Sequence, residues 1–169
     1  MSYLLTVSGS PHPASKNSRL LAALSHLTDI PVRSSLSCDS LPLFQPALDH
    51  APLPTPVVEW RSQWSDAFAV VISTPAYLHN MPAVLKNGLE WLTTTGEAVG
   101  KPVLALTFCP QPPRGARAME SLLWSLGALD ARVVAQLPCY QSEIGFLENG
   151  DLAEGDTREI LVEALKLLS

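Results

Sequence analysis

The segment "FAVVI" (residues 68–72) is a run of five apolar residues, and it decides the fold class. An uninterrupted apolar run of this length predicts a strand buried on both faces, as in a parallel sheet. A helical pattern precedes it at residues 57–64. Pro82 begins another helix that continues through Leu92, because the N–H that proline lacks would be unpaired at a helix start. Helices on both sides of a buried strand are the unit from which parallel sheets are built.

The same alternation extends along the whole chain. Further strands are predicted at residues 3–7, 32–37, 103–108 and 131–135, and further helices at 17–27, 116–126 (with Gly127 as C-cap) and 157–168. A loop with five prolines spans residues 39–56. The pattern predicts one α/β domain over residues 1–169, with a five-stranded parallel sheet of order 2-1-3-4-5 covered by helices on both faces.

Ligands bind such sheets beyond the carboxyl ends of the strands, where the strand order reverses. The loops to inspect are therefore Gly9–Lys16, Thr74–Asn80 and Cys109–Gly115.

The composition narrows the class of protein. A net charge of −5 argues against nucleic-acid binding, because no basic face is available for a phosphodiester backbone. The three cysteines, Cys38, Cys109 and Cys139, are far apart and form no C-x-x-C pair, so we expect reduced thiols, no disulfide and no metal site. The chain shows no secretory signal and no long apolar run, which predicts a cytoplasmic protein without a membrane partner.

The segment "GSPHPASKNSRLL" (residues 9–21) follows the first strand and brings Ser10, His12, Ser15 and Asn17 to the start of a helix. Unpaired N–H groups and the helix dipole make such a start an anion site. The segment holds one glycine and fits neither a P-loop nor G-x-G-x-x-G, which favours a terminal monophosphate over a diphosphate. Simple N-capping by Ser15 explains the same residues, and this stretch alone does not separate the two readings.

The segment "STPAYLHNMPAVLKNGLEWL" (residues 73–92) supplies a second motif. Together the two segments resemble the NADPH-dependent FMN reductase family, a branch of the flavodoxin-like fold. The first family motif is matched by Gly9, Ser10, Ser15 and Asn17, and the second by Thr74, Pro75, Tyr77, Pro82, Leu85, Lys86 and Asn87. The resemblance continues through "SLPLFQP" (40–46), "RGARAMESLLWSLGA" (114–128) and "FLENGDL" (146–152), and so covers nearly the whole chain.

This resemblance implies a flavodoxin-like three-layer sandwich and an oxidoreductase with FMN as cofactor and NAD(P)H as co-substrate. Hydride would pass to FMN N5 and electrons on to a free flavin or a quinone, by ping-pong kinetics, without a catalytic side chain. The implied FMN-binding residues form three groups. They are Ser10, His12, Ser15, Lys16 and Asn17 at the phosphate, Pro75, Ala76, Tyr77, Leu78 and His79 at the ring edge, and Pro110, Arg114 and Gly115 across the ring. A homodimer or homotetramer is also implied.

Three positions depart from the family pattern. His12 replaces an arginine, Ala76 a glutamate and Leu78 an asparagine. Imidazole is half neutral near pH 6.5, whereas arginine is permanently charged, so the sequence predicts weaker and pH-dependent FMN binding. A non-enzymatic electron carrier or a regulatory FMN-binding module is the alternative function. Arg114 and Arg117 either meet the phosphates of the dinucleotide or are solvated.

Overall fold

A computed structural model describes residues 3–168 of the chain. The strands are β1 (Tyr3–Ser8), β2 (Val32–Ser34), β3 (Ala67–Thr74), β4 (Pro102–Cys109) and β5 (Arg132–Tyr140). The helices are α1 (Lys16–Leu24), α2 (Thr55–Asp66), α3 (Ala83–Glu90), α4 (Ala116–Ala128) and α5 (Asp156–Lys166). Two short 3₁₀ turns, Cys38–Ser40 and Pro46–Leu48, lie in the proline-rich loop.

The strands form one parallel sheet of order β2-β1-β3-β4-β5, which confirms the predicted topology. Two cores cover its faces. Helices α1 and α5 pack on one face, where Leu20 and Leu161 are fully buried. Helices α2, α3 and α4 pack on the other around Trp60 and Trp91. The strand order reverses between β1 and β3, which places a crevice at the carboxyl ends of these strands.

Several boundaries differ from the prediction. Strand β5 continues to Tyr140 rather than ending at 135, because an edge strand tolerates Pro138, whose missing N–H faces no neighbour. Helix α2 already begins at Thr55, with Pro56 in its first turn. Helix α4 runs through Gly127 and is capped at Leu129, so the predicted glycine C-cap is wrong. Helix α1 ends at Leu24, and β2 ends at Ser34.

The proline-rich loop is held to the helices by buried polar groups. The Asn87 side chain accepts a hydrogen bond from the Phe44 N–H (2.8 Å) and donates one to the Pro42 carbonyl (3.0 Å). Arg61 donates to the Trp91 carbonyl and to Asp49, both at 2.8 Å. Lys86 pairs with Glu90 at the surface. Asn87 and Lys86 therefore serve the scaffold, and Trp91 belongs to the core.

All three cysteines are free and buried. Burial raises the pKa of the Cys38 and Cys139 thiols to about 12, so these two groups stay protonated at neutral pH. Within residues 3–168, no helix is long and apolar enough to cross a membrane.

Candidate functional site

Ser15 is the N-cap of α1. Its Oγ accepts the Ser18 N–H at 3.0 Å and lies 2.9 Å from the Ser18 Oγ, which itself donates to the Ser8 Oγ at 3.1 Å. Because a hydroxyl has one proton, Ser15 must donate to Ser18. The Ser15 hydroxyl is thus used on both its donor and acceptor sides, which gives it the capping role that the sequence left open.

Asn17 anchors the first turn of α1 to the sheet. Its Oδ1 accepts a 2.7 Å hydrogen bond from the Ser73 hydroxyl at the end of β3. Its Nδ2 lies 3.5 Å from the Phe108 carbonyl at the end of β4. The side chain is buried, and its bonds fix where the α1 N-terminus stands above the strand ends.

Three hydrogen-bond donors remain unused at this point. The backbone N–H groups of Lys16 and Asn17 find no acceptor among residues 3–168, as expected in the first turn of a helix. Ser10 is 4% exposed, and its hydroxyl accepts the His12 N–H at 3.3 Å. The proton of this hydroxyl has no acceptor in the same part of the chain. These donors and the positive end of the α1 dipole form a site suited to an anion.

A tight turn follows β3. Tyr77 and Asn80 exchange two backbone hydrogen bonds (2.8 and 2.9 Å), and the residues between them, Leu78 and His79, have φ of +51° and +61°. Two successive positive φ angles are typical of a type I′ turn, which usually contains asparagine or glycine. Here the turn holds Leu78 at its tip with 97% of the residue exposed. An apolar side chain is therefore presented to solvent in a strained backbone at the rim of the site.

The loop after β4 runs over residues 110–115 and ends at Gly115, the N-cap of α4. Gly115 has φ of +105°, and a Cβ there would lie 2.9 Å from the Cys109 Sγ and 3.1 Å from the Thr107 Oγ1. Only glycine lets the loop settle this closely against the end of β4.

These segments enclose two neighbouring cavities. The small cavity, about 290 Å³, is lined by Ser10, Ser15, Lys16, Asn17, Pro75, Ala76, Tyr77, Phe108, Cys109, Pro110, Arg114 and Gln141. The large cavity, about 670 Å³, is lined by Leu78, His79, Pro110, Gln111, Pro112, Pro113, Arg114, Gly115, Ala116 and Arg117. Pro110 and Arg114 line both, so the two cavities meet at this loop.

The structure thus brings twelve of the thirteen predicted site residues to these cavities. The exception is His12, which is exposed, lines neither cavity, and accepts the Ala14 N–H at its Nδ1 (3.1 Å). The imidazole is folded back onto its own loop.

The small cavity has mixed polar and apolar walls, with two cationic side chains among its lining residues. Lys16 donates to Gln141 at 2.7 Å, and Arg114 stands at the junction with the large cavity. Burial raises the pKa of the Cys109 thiol, while the Ala76 N–H and the Arg114 charge act in the opposite direction. Cys109 is thus an uncharged thiol at neutral pH, and the charges at this cavity come from the two cations.

Phe108 and Gln141 lie outside the three loops that the sequence singled out, and Cys109 begins the third of those loops but was not among the implied FMN-binding residues. Phe108 and Cys109 end β4 beside the strand reversal, which is a usable signal. Gln141 follows β5. Because the sequence predicted that this strand ends at residue 135, it did not indicate Gln141 as a residue at the strand end. Within the described residues, no cluster of three or more His, Cys, Asp or Glu residues could hold a metal ion.

Comparison with known proteins places this geometry in a family. Residues 3–140 match the family described as NADPH-dependent FMN reductase. The chain is 30% identical over 168 residues to a 2-hydroxy-1,4-benzoquinone reductase of a Burkholderia species, covering 94% of this chain and 89% of that enzyme. A 65-residue stretch is 43% identical to a subunit of an NADH:(hydroxy)cinnamate reductase of Vibrio ruber, and it spans 32% of that subunit.

The fold agrees with these matches. The structure superposes on FerB, a flavoenzyme NAD(P)H:(acceptor) oxidoreductase of Paracoccus denitrificans, with a TM-score of 0.80. The alignment covers 99% of this chain and 96% of FerB at 20% sequence identity, which supports the common fold.

Proposed function

The chain belongs to the NADPH-dependent FMN reductase family, and from that premise we propose how its two cavities serve the reaction. It is an oxidoreductase with FMN as cofactor and NAD(P)H as electron donor. We assign the FMN 5′-phosphate to the small cavity and the exchanging substrates to the large one. Free flavin or a quinone is the proposed acceptor, as the 30% identity to the quinone reductase suggests.

The residues present fit a phosphomonoester. The observation that carries the proposal is the set of three unused donors, the Lys16 and Asn17 N–H groups and the Ser10 hydroxyl. A terminal phosphate has oxygens enough for all three, and the α1 dipole favours its charge. Lys16 and Arg114 add positive charge at the rim in a chain whose net charge is −5.

Other residues hold this site in shape. Asn17 fixes α1 above the strand ends, and Ser15 caps the helix so that its first N–H groups stay directed outward. Pro75, Ala76 and Tyr77 are proposed to bound the ring from the β3 side, and residues 110–115 from the β4 side. The prolines of that loop have no backbone N–H, so they can exclude water without leaving a hydrogen-bond donor unpaired.

Bound FMN would supply hydride chemistry at its N5, and this chemistry needs no acid–base pair from the protein. The chain positions the donor and acceptor in turn. Because Leu78, His79 and residues 110–117 form one opening, we propose that NAD(P)H leaves before the acceptor enters.

The test begins with the absorption spectrum of the purified protein and titration with FMN, followed by NADPH oxidation with a quinone. We expect a bound flavin spectrum, turnover, and parallel double-reciprocal lines when NADPH and quinone are varied together. Intersecting lines would rule out the shared opening. A protein that binds FMN but does not oxidise NADPH would instead be an electron carrier or a regulatory module.

We also propose that the protein acts in the cytoplasm as a homodimer or homotetramer. The surface of α4 supports self-association, because the exposed Trp124 lines a groove of about 320 Å³ together with Leu89, Ala128, Leu129 and the polar residues Lys86, Thr93, Ser121 and Ser125. Light scattering would determine the assembly.

A further inference from the structure

The large cavity combines apolar walls with positive charge. Leu78, Pro110, Pro112 and Pro113 supply apolar surface, and Arg114 and Arg117 supply two guanidinium groups. No aspartate or glutamate is among its lining residues. A cavity of this composition suits a flat ligand that carries a negative charge.

The side chains of the two arginines are not engaged elsewhere in the described part of the chain. Neither guanidinium group makes a hydrogen bond, ion pair or ring contact within residues 3–168, although the side chains of other arginines do. Arg61 is bonded to Asp49, while Arg19 and Arg33 lie over aromatic rings. Glu120, one turn after Arg117 on α4, takes no part in an ion pair with it. Both guanidinium groups line the same cavity, where an anion would offset the repulsion between their like charges.

The positions of the two arginines give them different tasks. Arg114 lines both cavities and can reach a group bound in either. Arg117 lines only the large cavity, so it lies on the side of the exchanging substrate. A substitution of Arg117 therefore tests for an anion site in the large cavity without changing a residue that lines the proposed phosphate site of FMN.

We infer that Arg117, together with Arg114 of the same cavity, binds an anionic group of the substrate that exchanges in the large cavity. This inference rests on the proposed function. A guanidinium group binds phosphate, carboxylate or sulfonate through two parallel hydrogen bonds, and it also stacks on flat rings. The anionic group belongs either to the phosphates of the dinucleotide or to an acidic substituent on an aromatic acceptor.

The experiment uses the FMN-loaded protein, its Arg117→Gln and Arg117→Lys variants, and Arg132→Gln as a control. Arg132 is exposed, lines neither cavity and makes the same change of net charge. One arm compares NADPH with N-benzyl-dihydronicotinamide, a hydride donor without phosphate. The other compares a naphthoquinone with the same quinone carrying a sulfonate. Binding of NADP⁺ to the oxidised protein, followed by the flavin absorption band, provides a readout without turnover.

If the anion is on the dinucleotide, Arg117→Gln raises the KM for NADPH and the Kd for NADP⁺ about tenfold and leaves the benzyl donor unchanged. If it is on the acceptor, the same variant raises the KM for the sulfonated quinone alone. Either result supports the inference, provided that Arg117→Lys recovers part of the loss and Arg132→Gln behaves as wild type.

Wild-type values for all substrates in an Arg117→Gln protein that retains FMN would overturn the inference and leave the proposed function intact. A wild-type protein that neither binds FMN nor oxidises NADPH would overturn both.

Discussion

The Oδ1 of Asn17 accepts a 2.7 Å hydrogen bond from the hydroxyl of Ser73, which joins the first turn of α1 to the last residues of β3. Both side chains are buried, so neither group can turn to water when the other is lost. This bond fixes the height of the α1 N-terminus above the sheet.

We therefore expect Asn17→Ala to lower the free energy of unfolding by about 1–3 kcal/mol, because the Ser73 hydroxyl loses its acceptor. Ser73→Ala should cost less, and the double variant should cost less than the sum of the two. Urea denaturation of the four proteins measures this cycle. Additive effects would mean that the two residues do not depend on each other.

Variants of Ser10 and Ser15 should distinguish the residue that binds FMN from the residue that caps α1. Ser15→Ala removes the N-cap and should destabilise the protein by about 1 kcal/mol. Ser10→Ala removes an unused donor, together with the 3.3 Å acceptor of the His12 N–H, and should weaken FMN binding roughly three- to tenfold. Riboflavin, which has no phosphate, should bind to Ser10→Ala as it does to wild type. A larger loss of FMN affinity in Ser15→Ala than in Ser10→Ala would contradict these roles.

His12 should make FMN binding depend on pH. Its Nδ1 accepts the Ala14 N–H at 3.1 Å, so the neutral ring is held on its own loop and brings no charge to the small cavity. Replacement of His12 by arginine gives a cation at every pH. We expect His12→Arg to tighten FMN binding more at pH 8 than at pH 5.5 in a fluorescence titration. Equal gains at both values, or none, would argue that position 12 does not reach the phosphate.

Gly115 should not tolerate a side chain. Gly115→Ala places a Cβ 2.9 Å from the Cys109 Sγ at φ of +105°, whereas Gly150→Ala at φ of +91° meets no atom within 4 Å. Both variants carry backbone strain of about 1 kcal/mol or more, and only Gly115→Ala adds overlap with β4. Thermal unfolding should show a larger loss for Gly115→Ala, together with weaker FMN binding. Equal losses would mean that the close approach to β4 is unimportant.

The buried pair of Asp49 and Arg61 should make stability fall in acid. Their side chains are 6% and 8% exposed, and a hydrogen bond from Thr94, together with the Arg61 charge, lowers the pKa of Asp49. A carboxyl group whose pKa is lower in the folded state stabilises the protein at pH values above its pKa in the unfolded chain, which is about 3.9. This contribution is lost as the pH falls below that value. The stability difference between wild type and Asp49→Asn should therefore be constant from pH 5 to 7 and shrink below about pH 4.

The exposed pair of Lys86 and Glu90 is the control for that measurement. Lys86→Met should change stability by about 0.5 kcal/mol or less, because solvent screens exposed pairs. A pH-independent effect of Asp49→Asn would show that the carboxylate charge does not contribute.

The sequence alone determined the topology. Alternating apolar strands and helices leave few possible topologies once crossovers must be right-handed. The five apolar side chains of "FAVVI" (68–72) are all removed from water only when both faces of the strand are covered. The two loop motifs likewise indicated the family, and the resemblance that they carry implied twelve of the twenty residues that line the two cavities. These features are visible in the sequence because each depends on residues close together in the chain.

Only the tertiary structure decided which polar side chains already have hydrogen-bond partners within the protein. Ser15 and Asn17 look like phosphate ligands in the sequence, but one caps α1 and the other bonds Ser73, which is 56 positions away. The fold also brings Gln141 to Lys16, and it leaves the side chains of Arg114 and Arg117 at the large cavity without a partner among residues 3–168. Hydrogen bonds across the sheet depend on which strand ends meet, and one-dimensional patterns do not carry that information.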